Sequence, residues 1–347
     1  MDIRIERKDG FTAFVPPRVQ ARVLMVPFAT SAELIEQVLQ LEENQHHAWG
    51  VKEMLAAGVE VAVLKRYSSR LERFGQDWVL PDVRQFDLIY SNHNRLIRTP
   101  LSNLILRNRT PFVSLVYAGE PLLMPHRHFG IICMTPRAFQ RFDGLDNVDV
   151  RYAPWGIDPG SALHQPVAGS GEHLVSTGVT GRDFPTLMNA ARISGEKLVL
   201  AARGREIRDA PGSVKVVKEL VGPWDIRAWY EGAYAGVVAL TRDDRKRSSM
   251  GWTNVLEMMA VGLPIIKTRT GTLDDIVNVQ DIGAGLLVDP ESPEQIADAI
   301  QRIKESPELR ASMGQAGARY VREHLTMAQF AEPLLELVFS ARGGRVN

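Results

Sequence analysis

A repeated alternation of short apolar, β-prone runs with longer helical patterns is the feature that most constrains this 347-residue sequence. The runs of the first half are apolar on both faces, which is typical of parallel strands covered by helices on two sides. The alternation therefore predicts a doubly wound α/β fold. A helical pattern over residues 31–58 ends at Gly58, as a helix C-cap would. The predicted strands of this half are residues 22–28, 59–65, 86–92, 111–117, 130–135 and 148–154.

The second half repeats the same rhythm, so the chain predicts two Rossmann-like domains, in keeping with its length. The Pro/Gly/Ser-rich segment 159–171 has linker composition and predicts the joint between them. We place the domains at 1–163 and 164–325. The segment 326–347 then predicts a helix that crosses back to the first domain, because its apolar residues recur at helical spacing. The predicted strands of this half are residues 173–178, 197–204, 213–220, 236–240, 263–268 and 285–290.

Charge and cysteine content narrow the functional class. The 41 basic and 41 acidic residues cancel, so we expect no nucleic-acid partner. The single cysteine, Cys133, lies in an apolar run and predicts a buried thiol in a reducing compartment. No apolar run has the length of a membrane span or of a leader peptide. We therefore expect a cytoplasmic protein without a transmembrane segment, and peripheral contact with a membrane stays open.

The segment "RSSMGWTNVLEMMAVGLPII", residues 247–266, predicts a ligand-binding helix. Thr253 or Asn254 can supply its N-cap, and Gly262 ends it. The small residues before the helix leave room for a phosphate at its N-terminus, where free N–H groups and the helix dipole favour an anion. Glu257 has two interpretations. It can close a capping box with Asn254, or it can accept two hydrogen bonds from a vicinal diol such as a ribose.

The second half resembles the retaining GT-B glycosyltransferases of family 4, the glycosyl transferases group 1. "NVLEMMAVGLPIIKTRTGTLDDIV", residues 254–277, is similar to the family's Glu-Ala-Met-Ala-x-Gly-x-Pro-Val-Ile pattern and the Gly-Gly-x-x-Glu segment that follows it. Further similar segments occur in the family's order, which makes the resemblance specific for the fold and for a nucleotide-sugar site. These are residues 175–191, 198–204, 224–240 and 284–303, with a further match at 150–163 in the first half.

The resemblance implies a role for each matching residue. Glu257 binds the donor ribose, and the backbone around Gly251, Trp252 and Thr253 holds the distal phosphate. Arg182 stands where the family has a lysine that neutralises the diphosphate, although it can also be a surface arginine paired with Asp183. The predicted donor-binding set is Arg182, Arg203, Gly204, Ser249, Gly251, Trp252, Thr253, Asn254 and Glu257.

Three positions depart from the family pattern. Ser249 replaces a second glutamate, and Trp155 replaces an asparagine in the turn after the sixth strand. Tyr117 occupies the place of a histidine near the transferred sugar, so the catalytic candidates are Tyr117, Glu120 and His126. His126 and His128 lack further ligands at metal-binding spacing, and no metal is predicted.

We therefore predict a metal-independent, hexosyltransferase-like glycosyltransferase that uses no cofactor besides its co-substrate, a nucleotide sugar such as a UDP- or GDP-sugar. The acceptor is a hydroxyl of a small molecule, a glycan or a lipid-linked compound. A sugar-nucleotide epimerase of the same fold and a non-catalytic nucleotide-sugar-binding protein are the alternatives.

Overall fold

The computed structural model divides the chain into two compact units. The first contains residues 1–156 together with 327–347, and the second contains 157–326. The sequence predicts this boundary slightly later, at residue 163. The structure describes residues 2–27, 30–40, 48–65, 82–92, 109–117, 122, 124–161, 164–167, 171–178, 180–201, 207, 210–217, 226–241 and 250–344.

The first unit is built on an eight-stranded sheet in the order β1-β2-β4-β3-β5-β6-β7-β8. Strands β3 to β8 are parallel where they pair, and they confirm the predicted strands of this half. The antiparallel β1 and β2 extend the sheet beyond β4 and are not among the predicted strands. The bounds are β1 Arg4–Arg7, β2 Phe11–Val15, β3 Ala21–Val26, β4 Val59–Leu64, β5 Leu88–Ser91, β6 Phe112–Val116, β7 Gly130–Cys133 and β8 Asp149–Tyr152.

Four described helices belong to the first unit: α1 Ala32–Gln40, α2 Val51–Ala56, α3 Pro136–Phe142 and α10 Met327–Gly343. The continuous helical pattern predicted over 31–58 is wrong, because Trp49 and Gly50 both have left-handed φ values, 56° and 82°. Helix α10 packs on α2 and on strands β3, β5, β7 and β8. It lies so close that a Cβ on Gly130 would be 2.8 Å from the side chain of Leu337, which explains the glycine at the start of β7.

The second unit is built on a six-stranded parallel sheet in the order β11-β10-β9-β12-β13-β14. Its strands confirm the predicted runs of the second half. Their direction of progression reverses between β9 and β12, and ligands of open α/β sheets bind outside the carboxyl ends of strands at such a point. The bounds are β9 His173–Thr177, β10 Leu198–Ala201, β11 Val214–Val217, β12 Ala233–Val238, β13 Ile265–Thr268 and β14 Gly285–Val288.

Helices cover both faces of this sheet, as its apolar strands require. One core joins β9, β10 and β12 to residues of three helices, among them Leu187, Ile296 and Met313. None of the described helices is both long and apolar enough to cross a bilayer. The described helices of the second unit are α4 Phe184–Ser194, α5 Ile226–Tyr230, α6 Trp252–Ala260, α7 Gly271–Asp274, α8 Pro293–Glu305 and α9 Pro307–His324.

Candidate functional site

Helix α6 begins beside the carboxyl end of β12. Its N-cap is Gly251, with a left-handed φ of 81° and no side-chain cap. The predicted N-cap at Thr253 or Asn254 is therefore wrong: with Trp252, these residues form the first turn. A Cβ on Gly251 would lie 2.9 Å from Cγ1 of Val238, so the close approach also requires glycine. The N–H groups of this turn have no acceptor within the helix, which leaves them for an anion.

Glu257 lies in the second turn of α6 and is only 4% exposed. The hydroxyl of Tyr230 donates to its Oε2 at 2.9 Å. Burial raises the pKa of Glu257 to about 7, while the hydrogen bonds of Tyr230 and Asn254 act in the opposite direction. The capping-box interpretation is wrong, because Asn254 is not the N-cap.

Arg182 is 8% exposed, and its guanidinium is held by the protein. Nε donates to the carbonyl oxygen of Thr177 at 3.1 Å, and Nη1 donates to that of Thr180 at 2.9 Å. Nη2 donates to Oδ1 of Asn254. These bonds account for three of the five guanidinium N–H groups. Burial lowers the pKa of Arg182 to about 10, so it remains charged at neutral pH.

The alternative interpretation of Arg182 as a surface arginine is wrong. It predicted an ion pair with Asp183, but the carboxylate of Asp183 instead caps helix α4 and accepts from the backbone N–H and hydroxyl of Thr186 at 3.1 and 2.7 Å. Arg182 is therefore held among buried polar groups at the carboxyl end of β9.

Two residues outside the predicted site set, Thr177 and Tyr230, connect Arg182 to Glu257 by way of Asn254. Nδ2 of Asn254 donates to Oγ1 of Thr177 at 2.8 Å, and that hydroxyl lies 3.4 Å from the hydroxyl of Tyr230. Thr177 ends β9 and Tyr230 ends α5. The five side chains form a polar chain at the point where the strand order reverses, and all of them except the half-buried Asn254 are buried.

A buried ion pair fixes the adjoining end of β13. The side chain of Lys267 is fully buried and bonds to the carboxylate of Asp274, to the carbonyl oxygen of Thr268 at 3.1 Å and to Oγ1 of Thr270 at 3.5 Å. The hydroxyl of Thr268 accepts from the backbone N–H of Leu240 at 3.0 Å, and Leu240 pairs with Arg182 in an isolated β-bridge. The ion pair thus supports the backbone that carries Arg182.

In the first unit, Tyr117 lies half-buried in an aromatic cluster. Its ring meets the rings of Trp49 and Trp155 edge to face, with centroids 5.5 and 6.3 Å apart. The two tryptophan rings are 4.3 Å apart. The tryptophan that stands in place of the family's asparagine therefore packs against a second tryptophan.

The histidines of the first unit lie elsewhere. His126 is exposed on a short 3₁₀ turn that leads to the amino end of β7, so the structure does not bring it to the carboxyl end of β6, where Tyr117 lies. His128 is buried, with Nε2 3.0 Å from Oγ of Ser114 and Nδ1 3.2 Å from the carbonyl oxygen of Met124. Burial lowers its pKa to about 4, which indicates a neutral core histidine.

Four predicted site residues, Glu120, Arg203, Gly204 and Ser249, lie outside the described residues. Within the described ranges, no group of three or more His, Cys, Asp or Glu side chains is arranged to hold a metal ion.

A cavity of about 720 Å³ lies at the opposite end of α6 from Gly251, beside Val261, Gly262 and Pro264. Two arginines on its wall, Arg310 and Arg322, donate to carbonyl oxygens at the C-terminal ends of α8 and α6. Their hydrogen bonds indicate helix capping, and the cavity contains none of the residues predicted to bind the donor.

Comparison with known proteins identifies the class of fold. Residues 232–320 match the family model described as "Glycosyl transferases group 1". No curated protein matches the sequence. The sucrose-phosphate synthase of Thermosynechococcus elongatus is 17% identical with a TM-score of 0.60, over 93% of this chain and 100% of that one. A UDP-forming α,α-trehalose-phosphate synthase from Burkholderia xenovorans is 14% identical with a TM-score of 0.62, over 93% and 100%.

A third similar structure is that of the Anabaena protein Alr3699/HepE in complex with UDP and glucose. It is 12% identical with a TM-score of 0.61, over 92% of this chain and 100% of that one. At these identities the likeness shows the fold alone. The chain has the fold of GT-B glycosyltransferases, as predicted, and its second unit carries a glycosyl transferases group 1 domain.

Proposed function

We propose that this protein is a glycosyltransferase that moves a sugar from a nucleoside-diphosphate donor to an acceptor hydroxyl. The single observation that carries the proposal is the polar chain from Arg182 to Glu257, which lies where the strand order of the second sheet reverses. It adjoins the open N-terminus of α6, and part of it lies within the matched domain. The donor binds in the second unit, and the first unit provides the acceptor site.

The chemistry of a nucleotide sugar fits these groups. The diphosphate lies at the N-terminus of α6, where N–H groups and the helix dipole attract it, and Arg182 adds a positive charge. This charge matters most as the glycosidic bond breaks, since the leaving diphosphate then gains negative charge. Glu257 accepts hydrogen bonds from the ribose hydroxyls.

Transfer proceeds with retention of the anomeric configuration. The acceptor hydroxyl attacks the face from which the diphosphate leaves, and a phosphate oxygen of the leaving group takes its proton. This route needs neither a protein nucleophile nor a metal ion. The structures of the Anabaena protein, which contain UDP or UDP-glucose, make a uridine nucleotide the first donor to test.

Incubation with a panel of UDP- and GDP-sugars, with and without acceptor mixtures, tests the proposal. We expect release of nucleoside diphosphate that depends on acceptor, and a product with the donor's anomeric configuration by NMR. Glu257→Ala should weaken donor binding. A matched control is Glu196→Ala, since Glu196 also accepts a bond from a tyrosine, Tyr234, at 3.2 Å. Conversion of the donor without acceptor would favour an epimerase, and binding without turnover would favour a non-catalytic binder.

A further inference from the structure

We propose that Tyr230 is a positioning residue for the donor site: it is the last link of a one-directional hydrogen-bond chain that runs from Arg182 to Glu257 and holds the Glu257 carboxylate ready for the ribose. This inference rests on the proposed function, because it concerns the same site. It assigns roles to Tyr230 and Thr177, neither of which is among the predicted site residues.

The direction of every bond in the chain follows from the chemistry of its members. Arginine only donates, so the atom of Asn254 facing Arg182 is its carbonyl oxygen, and the amide nitrogen faces Thr177. Thr177 accepts from that nitrogen at 2.8 Å, which leaves its own hydroxyl hydrogen for Tyr230, 3.4 Å away. An ionised carboxylate only accepts, so Tyr230 donates to Glu257 at 2.9 Å.

A chain of this kind is polarised from end to end. Its first member is a cation and its last is an anion, and each donor strengthens the next because the hydrogen bonds point the same way. Tyr230 is 1% exposed, and burial holds its pKa well above the usual value, so the hydroxyl keeps the proton that it donates. The hydrogen-bond chain therefore links Arg182, which is predicted to bind the diphosphate, to Glu257, which is predicted to bind the ribose.

Within the described ranges, the charged side chains on the elements packed against α6 are engaged elsewhere or exposed. Lys267 on β13 bonds to Asp274, and Tyr234 on β12 donates to Glu196. On α9, Arg322 donates to the carbonyl oxygens of His164 and Ala260, and Arg319 is exposed. The Tyr230 and Asn254 hydrogen bonds are therefore the contacts that oppose the effect of burial on the pKa of Glu257.

Removal of the Tyr230 hydroxyl has two consequences. The carboxylate loses the bond that orients it, and its protonated form becomes more favourable at neutral pH. A protonated Glu257 has one oxygen that carries the proton, so it cannot accept hydrogen bonds from both ribose hydroxyls as the carboxylate does. We therefore expect the variant's donor affinity to fall furthest below that of the wild type at pH values below neutral. Loss of a hydrogen bond to a charged group corresponds to roughly a 10-fold or larger loss of affinity.

The test is calorimetric titration of the full chain with UDP-glucose from about pH 6 to pH 9, a range in which its diphosphate remains ionised. We expect Tyr230→Phe to bind about 10-fold more weakly than the wild type at neutral pH, and the pH dependence of its affinity to move toward alkaline pH. The matched control is Tyr234→Phe, which removes a tyrosine–glutamate hydrogen bond in the same unit and should leave both quantities unchanged.

A second pair of variants guards against a folding defect in Tyr230→Phe. Thr177→Val breaks the chain one link earlier and should shift the pH dependence in the same direction by a smaller amount, whereas Thr177→Ser keeps the hydroxyl and should restore wild-type binding. Equal effects of Tyr230→Phe and Tyr234→Phe, or an unchanged pH dependence in Tyr230→Phe, would overturn the positioning role and leave the proposed function intact. If the wild type binds neither UDP-glucose nor any other member of the UDP- and GDP-sugar panel, the proposed function fails together with this inference.

Discussion

Two carboxylates of the second unit, those of Asp274 and Glu257, have different kinds of partner. Asp274 is 13% exposed and bonds to the fully buried ammonium of Lys267. Glu257 accepts from the neutral hydroxyl of Tyr230, and burial raises its pKa to about 7. A buried carboxylate that has a cation contributes to a stable loop. A buried carboxylate whose hydrogen-bond donors are neutral keeps part of its charge uncompensated. It can therefore still accept hydrogen bonds from a ligand.

The largest effect is expected from Lys267→Met, which leaves Asp274 without its cation. Breaking a buried pair from one side costs about 3 to 5 kcal/mol, because the remaining charge stays desolvated. We expect urea unfolding to show a loss of that size. The double variant Lys267→Met/Asp274→Leu should recover most of it, since no buried charge remains.

Lys304→Met is the matched control for that ion pair. Lys304 pairs with Glu196, but its side chain is 50% exposed, and exposed pairs contribute at most about 1 kcal/mol. Similar losses in Lys267→Met and Lys304→Met would contradict the structural role given to the buried pair.

The second prediction concerns the effect of Glu257 on how the free energy of unfolding changes with pH. Because its folded-state pKa of about 7 lies above the unfolded value of 4.5, the folded protein binds the proton more tightly. The resulting stability is fully present below pH 4.5 and is lost as pH rises through 7. We expect the wild type to lose about 2 to 3 kcal/mol between pH 5 and pH 8 relative to Glu257→Gln, by urea unfolding at each pH. Parallel pH profiles for the two proteins would show that Glu257 is not the group responsible.

The sequence predicts the parallel strands of both sheets because their apolar runs are continuous and separated by helical patterns. It misses β1, Arg4–Arg7, because this edge strand has three charged residues and no apolar run. That reason does not extend to β2, Phe11–Val15, which is fully buried. The sequence also predicts a continuous helical pattern through Trp49. The left-handed backbone of this residue interrupts the helix, and the spacing of apolar residues does not indicate it.

The candidate site was only half predictable. Arg182 and Glu257 lie in recognisable motifs, but the links between them join residues that are far apart in sequence. Thr177 and Asn254 are separated by 77 positions, and Tyr230 and Glu257 by 27. Local spacing contains no information about such contacts, and the same holds for the Leu240 N–H that bonds to Thr268. Only the packing of α5 and α6 around the sheet brings these groups together.

The third prediction concerns His128 in the first unit, where burial lowers a pKa instead of raising it as it does for Glu257. Burial lowers the pKa of His128 from 6.5 to about 4, so the stability that this histidine contributes is present above pH 6.5 and is lost as pH falls through 4. We expect a loss of about 2 kcal/mol between pH 7 and pH 5 that His128→Gln does not show. Amide hydrogen exchange of β6 and β7 would detect it. An acid-induced loss that persists unchanged in His128→Gln would assign the transition to another group.

The smallest expected effect on stability is the difference between two glycine-to-alanine variants. Gly251 lies at the candidate site, and Gly195 lies away from it. Gly251 and Gly195 both have left-handed φ values, 81° and 67°, so alanine at either position costs roughly 1 to 2 kcal/mol in backbone strain. A Cβ on Gly195 meets nothing within 4 Å, whereas one on Gly251 lies 2.9 Å from Cγ1 of Val238 and 3.6 Å from Nη1 of Arg182. Thermal unfolding should therefore show a slightly larger loss of stability for Gly251→Ala.

In calorimetric titration with UDP-glucose, Gly251→Ala alone should weaken binding, because it displaces the first turn of α6 and the Arg182 guanidinium together. Equal affinities for the two variants would mean that the N-terminus of α6 is not where the phosphate binds.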